Sequence, residues 1–384
     1  MDTKRTVISR MLILAAIGLL IAIYYSPTWW VSLTAPNYPP EAFPDGVRIH
    51  FHMNGVFNGC KKVENIEIVE EEALDCVHEM DTINHYVGMY PIASGGVVEK
   101  AFSPFLVSLL GVMLLGFMCT KPKIRLGIMG ISFSVIVIWM YLTWYGKDGL
   151  NYHNTGYISG LVAALSQDTE KESEEAESPG QALIERLKQS LGEAVVEEDK
   201  IEEISSKADM IDNLRVTFKK SEERKPANER QVWDGSGAQM MSWHYEQSLG
   251  RYFNEPTQIK PMVATMTTVA HLVFWAIIGA MLLLLYGARQ NKGLLYWLLI
   301  IVPMALPVFF IIEYSAWLWW YGHSMNPMGA FTVKPFMPTV FGQGKVAQFT
   351  THSYPHYGFG LMMLMPVLLA LAALMRRKQQ RQQD

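Results

Sequence analysis

The 384-residue chain has little charge: only 18% of its residues are Asp, Glu, Lys or Arg, against 50% hydrophobic. That is too apolar for an ordinary soluble domain once the hydrophobic residues fall in uninterrupted runs. It has three cysteines, too few for a disulfide-framed scaffold. There is no Walker A loop for nucleotide phosphates, no Cys-x-x-Cys-His for covalent haem, and no Gly-x-Ser-x-Gly or His-Glu-x-x-His element. The familiar ATPase, cytochrome c and hydrolase readings therefore lose their support. No basic patch offers a nucleic acid a footing, so no nucleic-acid partner is expected. Charge is instead uneven: residues 168–225 hold 17 of the 36 acids and carry −7, leaving the rest of the chain at +3.

What is present is long apolar runs. Six segments, 8–25, 103–119, 126–145, 263–286, 294–320 and 359–374, have the ~17–25 residues needed to cross a hydrocarbon core as helices. Lipid offers the backbone no partner, so each must satisfy its own hydrogen bonds. Lys4, Arg5 and Arg10, then Lys121, Lys123 and Arg125, then Arg289 and Lys292, then Arg376, Arg377, Lys378 and Arg381 flank alternate ends. The positive-inside rule places those ends in the cytoplasm and the three large segments, 26–102, 146–262 and 321–358, outside. The first run is read as a retained anchor, 1–25, because no small-x-small cleavage site follows it. Tyr24, Tyr25, Trp29 and Trp30 follow instead, as in an interfacial aromatic belt.

The expected fold is thus an all-α integral membrane protein of about six transmembrane helices, with a small mixed α/β extracytoplasmic domain and an acidic helical insertion. The domain order is anchor 1–25, outer domain 26–102, helix pair 103–145, outer segment 146–262 with its insertion at about 166–225, helix pair 263–320, outer loop 321–358, and last helix with basic tail 359–384. In the first outer domain Val47, Ile49, Phe51 and Met53 alternate with Arg48, His50, His52 and Asn54, a strand ending at the Asn54-Gly55 turn. A second alternation at 63–69 is a partner for it, and 72–89 reads as a helix with His78, Asp81 and His85 toward one face. In the insertion, helical periodicity at 184–194 and 201–214 breaks near 197–200. It either docks on the body or a partner, or is a solvated face.

Nine of ten histidines fall in outer segments, often near methionines: Met240 and Met241 with His244, His323 with Met325 and Met328, and His352 and His356 beyond Met337. Imidazole with thioether suits copper, above all Cu(I); methionine packing in a membrane protein is the plain alternative. Cys60 and Cys76 share an outer segment, where an oxidising compartment favours a disulfide and thiolate ligation is the other possibility. Within the spans, His271 and Glu313 lie at similar depth on an antiparallel pair. Facing each other they would form a proton path, a ligand site or a structural hydrogen bond.

The stretch INHYVGMYPI at 83–92, with YGHSMNP at 321–327 and KPFMPTVFG at 334–342, resembles the membrane-protein family encoded within nitrous oxide reductase gene clusters. The resemblance covers the outer segments and flanking helices but not the insertion. It implies an accessory role in assembling, copper-loading or supplying electrons to a periplasmic copper enzyme at the inner membrane, with that enzyme or its maturation factors and membrane lipid as partners; the positive-inside reading expects both ends of the chain in the cytoplasm. His85, Met89, His323 and Met325 lie in the matching stretches. With Met328, His352 and His356 they are the expected ligands of a transient copper. A membrane copper oxidoreductase, in which His271 and Glu313 move protons or meet a quinone, and a metal-free scaffold are the competing readings.

Overall fold

The computed structural model describes residues 2–61, 74–92, 95–176, 206–331, 335–346 and 348–383. Five helices are long and apolar enough to cross a membrane: α1 (Asp2–Tyr25), α3 (Val97–Met118), α4 (Pro122–Tyr145), α8 (Pro256–Gly287) and α11 (Tyr357–Gln383). The fifth expected span is not one straight helix. It is α9 (Leu294–Met304) and α10 (Leu306–His323), meeting at a 63° bend. Pro303 and Pro307 bracket Ala305, and a proline withholds the amide that would continue the ladder, so the break falls there.

The central helix is α3: 67% of its apolar window is buried inside the protein, against 28% for each other long helix. Phe105, Val112, Met113 and Phe117 pack among Met129, Phe133 and Met140 of α4. On the other side α1 lies along α11, burying Ile13, Ala16, Leu20 and Ile23 against Met362, Met365, Leu369 and Ala372.

The outer segments form one head. Strands β1 (Trp29–Thr34), β2 (Val47–His52), β3 (Gly55–Asn58), β4 (Gly342–Val346) and β5 (Phe349–Pro355) make an antiparallel sheet in the order β3-β2-β1-β5-β4. The sequence alternation identifies β2 and its turn; β3 supplies its partner, and the alternation at 63–69 lies outside the described residues. Trp29 and Trp30 are strand residues and not a lipid belt. Trp29, 2% exposed, sits among Phe310, Tyr314, Phe341 and Phe359 and donates its indole N–H to Ser353 at 2.9 Å.

Helix α2 (Cys76–Val87) begins where the Asp75 carboxylate accepts the amides of Val77 and His78, and ends at Gly88. Cys76 at its start is joined to Cys60 by a disulfide with Cα atoms 5.9 Å apart, tying α2 to the strand region across 16 residues. Closing a loop of that length contributes about 3 kcal/mol by restricting the unfolded chain. Reduction, or Cys60→Ser, is expected to lower the unfolding free energy of the head by that amount in a denaturant titration with and without dithiothreitol.

Helices α5 (Thr155–Ala176), α6 (Lys207–Glu223) and α7 (Gly237–Gly250) complete the head. The flank of the insertion that is described docks on the body: Met210, Leu214 and Phe218 of α6 are buried, and Phe218 meets Trp233 and Trp243 edge-on. Residues 177–205, with the periodic run 184–194 and the start of 201–214, lie outside the described residues.

Candidate functional site

Two of the three stretches quoted for the family resemblance, 83–92 and 321–327, meet. Gly88 has φ 97°, and its carbonyl accepts the amide of Asn326 at 2.7 Å, while the Ala330 amide reaches Tyr86 O at 2.9 Å. Tyr321 donates to the carbonyls of Pro91 and Ile92, each at 3.0 Å. Residues 83–92 and 321–330 thus form a backbone clasp between α2 and the end of α10.

The expected copper ligands do not gather there. His85 stacks on Tyr252 (4.6 Å between ring centroids) and leans on Phe253, and Met89 packs into the apolar core. His323 stacks on Trp319 and bonds its carbonyl through Nδ1 at 2.7 Å. Met325 is half-buried and Met328 is exposed in the loop beyond. His352, on β5, pairs with Gln343 at 3.1 Å, and His356 meets His50 ring to ring at 5.0 Å. Among the described residues no group of three or more His, Cys, Asp or Glu stands placed to hold a metal ion.

His271 and Glu313 also have separate partners. His271 Nδ1 bonds Tyr145 Oη at 2.8 Å and lies 3.5 Å from the Trp144 indole nitrogen, linking α8 to α4. Glu313 turns instead toward Glu99, Lys100 and Trp317.

These last residues belong to a buried charged cluster. Glu99 and Lys100 occupy the first turn of α3, Asp81 projects from α2, and Arg251 follows α7, with its guanidinium 3.8 Å from the Asp81 carboxylate. Both side chains of that pair are nearly solvent-free, at 5% and 1% exposed. Burial pushes Asp81 up to about 7, against the pull of the Ile92 amide at 2.6 Å and the charges of Arg251 and Lys100. His244 of α7 is driven down to about 4 by burial and by the positive charge of Lys100 and Arg251, and its neutral ring donates Nε2–H to Leu161 O at 3.2 Å.

Lys100 lines two cavities. The outer one, about 310 Å³, lies between the β2–β3 turn, α2, α3, α5 and α7, with Asn54, Asn58, Asp75, Asp81 and His244 as its polar lining. The other, about 270 Å³, lies between the sheet, α3, α10 and α11. Its polar end is His52, Glu99, Lys100 and Glu313, and its walls are apolar and aromatic. Such a space accepts a hydrogen-bonding group at one end and hydrocarbon along the rest.

Of this cluster the sequence singled out Glu313, His244 beside Met240 and Met241, and Asp81 as part of a helix face. The signal missed was the Glu99-Lys100 pair. Those charges set the expected span to begin at residue 103, yet the helix starts at Val97, so both are carried on its inner first turn.

His50 and His52 of β2 are both held down to about 4, chiefly by burial, then by Arg48 and His356 at His50 and by His356 at His52. An unfolded histidine takes its proton near 6.5. The unfolded chain therefore binds more protons between those values, and the head loses stability as pH falls from about 6.5 toward 4. Amide protection factors in β1 and β2, exchange rates divided into the intrinsic rate at each pH, are expected to fall over that window and to stay level between pH 7 and 8.

No family model, curated protein or solved structure matches the chain.

Proposed function

We propose that this multi-pass membrane protein is an accessory factor of the inner membrane that presents a folded head to a periplasmic copper enzyme, nitrous oxide reductase, in its assembly, copper loading or electron supply. The observation that carries the reading is the clasp: two of the three stretches on which the family resemblance rests, more than 200 positions apart, pack directly on each other and brace the head on the helices.

The same head supports six crossings. One sheet combines residues 29–58 with 342–355, so both segments share one side of the bilayer. An even number of crossings must separate them. Helices α3, α4 and α8 give three, and the bent α9–α10 pair is the fourth. With α1 and α11 the total is six, and the basic flanks of residues 4–10, 121–125, 289–292 and 376–381 fall together on the face opposite the sheet, the cytoplasmic one by the positive-inside rule. In a Cys119→Ser background, an impermeant thiol reagent should label Lys345→Cys in intact cells and Lys123→Cys only after lysis.

Deleting the gene should leave the reductase made but inactive or copper-poor. A reductase with full copper and activity in the deletion strain would overturn the accessory role. The enzymatic alternative, a membrane oxidoreductase, draws on the cluster around Lys100. It would be favoured by turnover of a quinol or a small substrate by the purified chain alone.

A further inference from the structure

We propose that the cavity between α3, α10 and α11 binds a neutral, ring-headed amphiphile of the isoprenoid quinone class, with its head against Glu99, Lys100 and Glu313 and its tail toward lipid. The site is independent of the accessory reading, since it rests only on what lines this space.

Its walls point to the tail. Leu106 of α3, Leu306, Phe309 and Phe310 of α10 and Met362 of α11 belong to apolar helices, and Phe309 is 53% exposed on a face that lipid would cover. A chain leaving the cavity past these residues would enter hydrocarbon and not water. About 270 Å³ is near the low end of ligand pockets, ~300–1,000 Å³, enough for one ring and the start of a tail.

Its inner end points to the head. Three carboxyl groups act on the single ammonium of Lys100, those of Glu99, Asp81 and Glu313; Glu99 and Glu313 line this cavity with it, and the Trp317 indole is within hydrogen-bonding range of both. A phosphate head would meet those acids at close range without water to screen them, so an anionic lipid is disfavoured. A neutral ring bearing oxygens at both ends suits them: a hydroxyl donates to a carboxylate, and a carbonyl accepts from the ammonium. Glu99 Oε2 is buried with no hydrogen-bond partner in the protein, an arrangement that is costly unless a ligand hydroxyl or similar donor completes it. Phe51, Phe310, Tyr314 and Tyr321 supply flat faces for a ring.

The test uses the full chain purified in mild detergent. Solvent extraction followed by chromatography and mass spectrometry should recover about one quinone or quinol per chain; an extract of phospholipid alone would overturn the proposal. A decyl-substituted benzoquinone should then quench tryptophan fluorescence saturably in protein stripped of its extractable ligand, with decanol as the ringless control. Glu99→Gln, nearly isosteric, should weaken that binding about tenfold or more, and Leu106→Trp, which fills the mouth, should abolish it. Should Leu106→Trp fail to fold, Glu313→Gln takes its place and should weaken binding as Glu99→Gln does. Decanol binding as tightly as the quinone, or quinone affinity unmoved in variants with unchanged melting midpoints, would place hydrocarbon alone in the cavity and sink the idea.

Discussion

Replacing Gly329 by alanine is expected to prevent stable folding, and Gly88→Ala to cost about 3 kcal/mol or more. A β-carbon on Gly329 would stand 2.3 Å from Gly88 Cα and 2.5 Å from its nitrogen, all backbone that has nowhere to retreat. At Gly88 the added carbon would lie 2.8 Å from Asn326 O, and φ 97° disfavours any L side chain as well. Separating the two segments would also strand the Gly88 carbonyl and the Asn326 amide, bonded at 2.7 Å. The measurement is folded yield by size-exclusion chromatography, then the thermal midpoint of whatever folds. Gly18→Ala, where nothing lies within 4 Å of the new carbon, should behave as the parent. A Gly329→Ala protein with a parental midpoint would show that the clasp is not what holds α2 to α10.

Arg125→Met is expected to lower stability by about 3 kcal/mol. The guanidinium is fully buried, lies over the Tyr296 ring at 4.6 Å, and forks to Gln290 O at 2.9 Å and Asn291 Oδ1 at 2.5 Å. It thereby fastens the start of α4 to the turn between α8 and α9. Methionine keeps much of the volume and removes both donors. Lysine keeps the charge but not the fork, so Arg125→Lys should recover only part of the loss. Lys123→Ala, at an exposed neighbour, should leave the denaturant midpoint unchanged.

Arg125 also shows where the sequence is ambiguous. A basic residue at the end of an apolar run reads as an orientation signal, and the run fixes the helix beside it. Whether that charge faces water or a neighbouring loop depends on residues 165 positions away. The long helices were legible because a 20-residue apolar run has few alternatives in a bilayer. β2 was legible from its alternation. β1 was not, because six residues following directly on a span look like its aromatic border. Gly342–Val346 carries no alternation, and its place comes from pairing with β5. The proposed His271–Glu313 pair assumed a straight helix as a ruler for depth. The 63° bend at Ala305 redirects α10, and Glu313 meets α3 instead. Among the expected ligands, His85 stacks on Tyr252, a partner 167 positions away that nearness along the chain does not reveal.

The sheet's strand order has a consequence for synthesis. β1 is the central strand, and one of its neighbours, β5, follows it by more than 300 residues. As the chain emerges, β1 has β2 along one edge, while the other edge waits with open amides and carbonyls until the apolar helices between residues 97 and 323 are made. The head therefore closes last, and a chain halted before residue 349 would carry an unpaired strand edge beside a bilayer, ready for quality-control proteases or for a neighbour's strand.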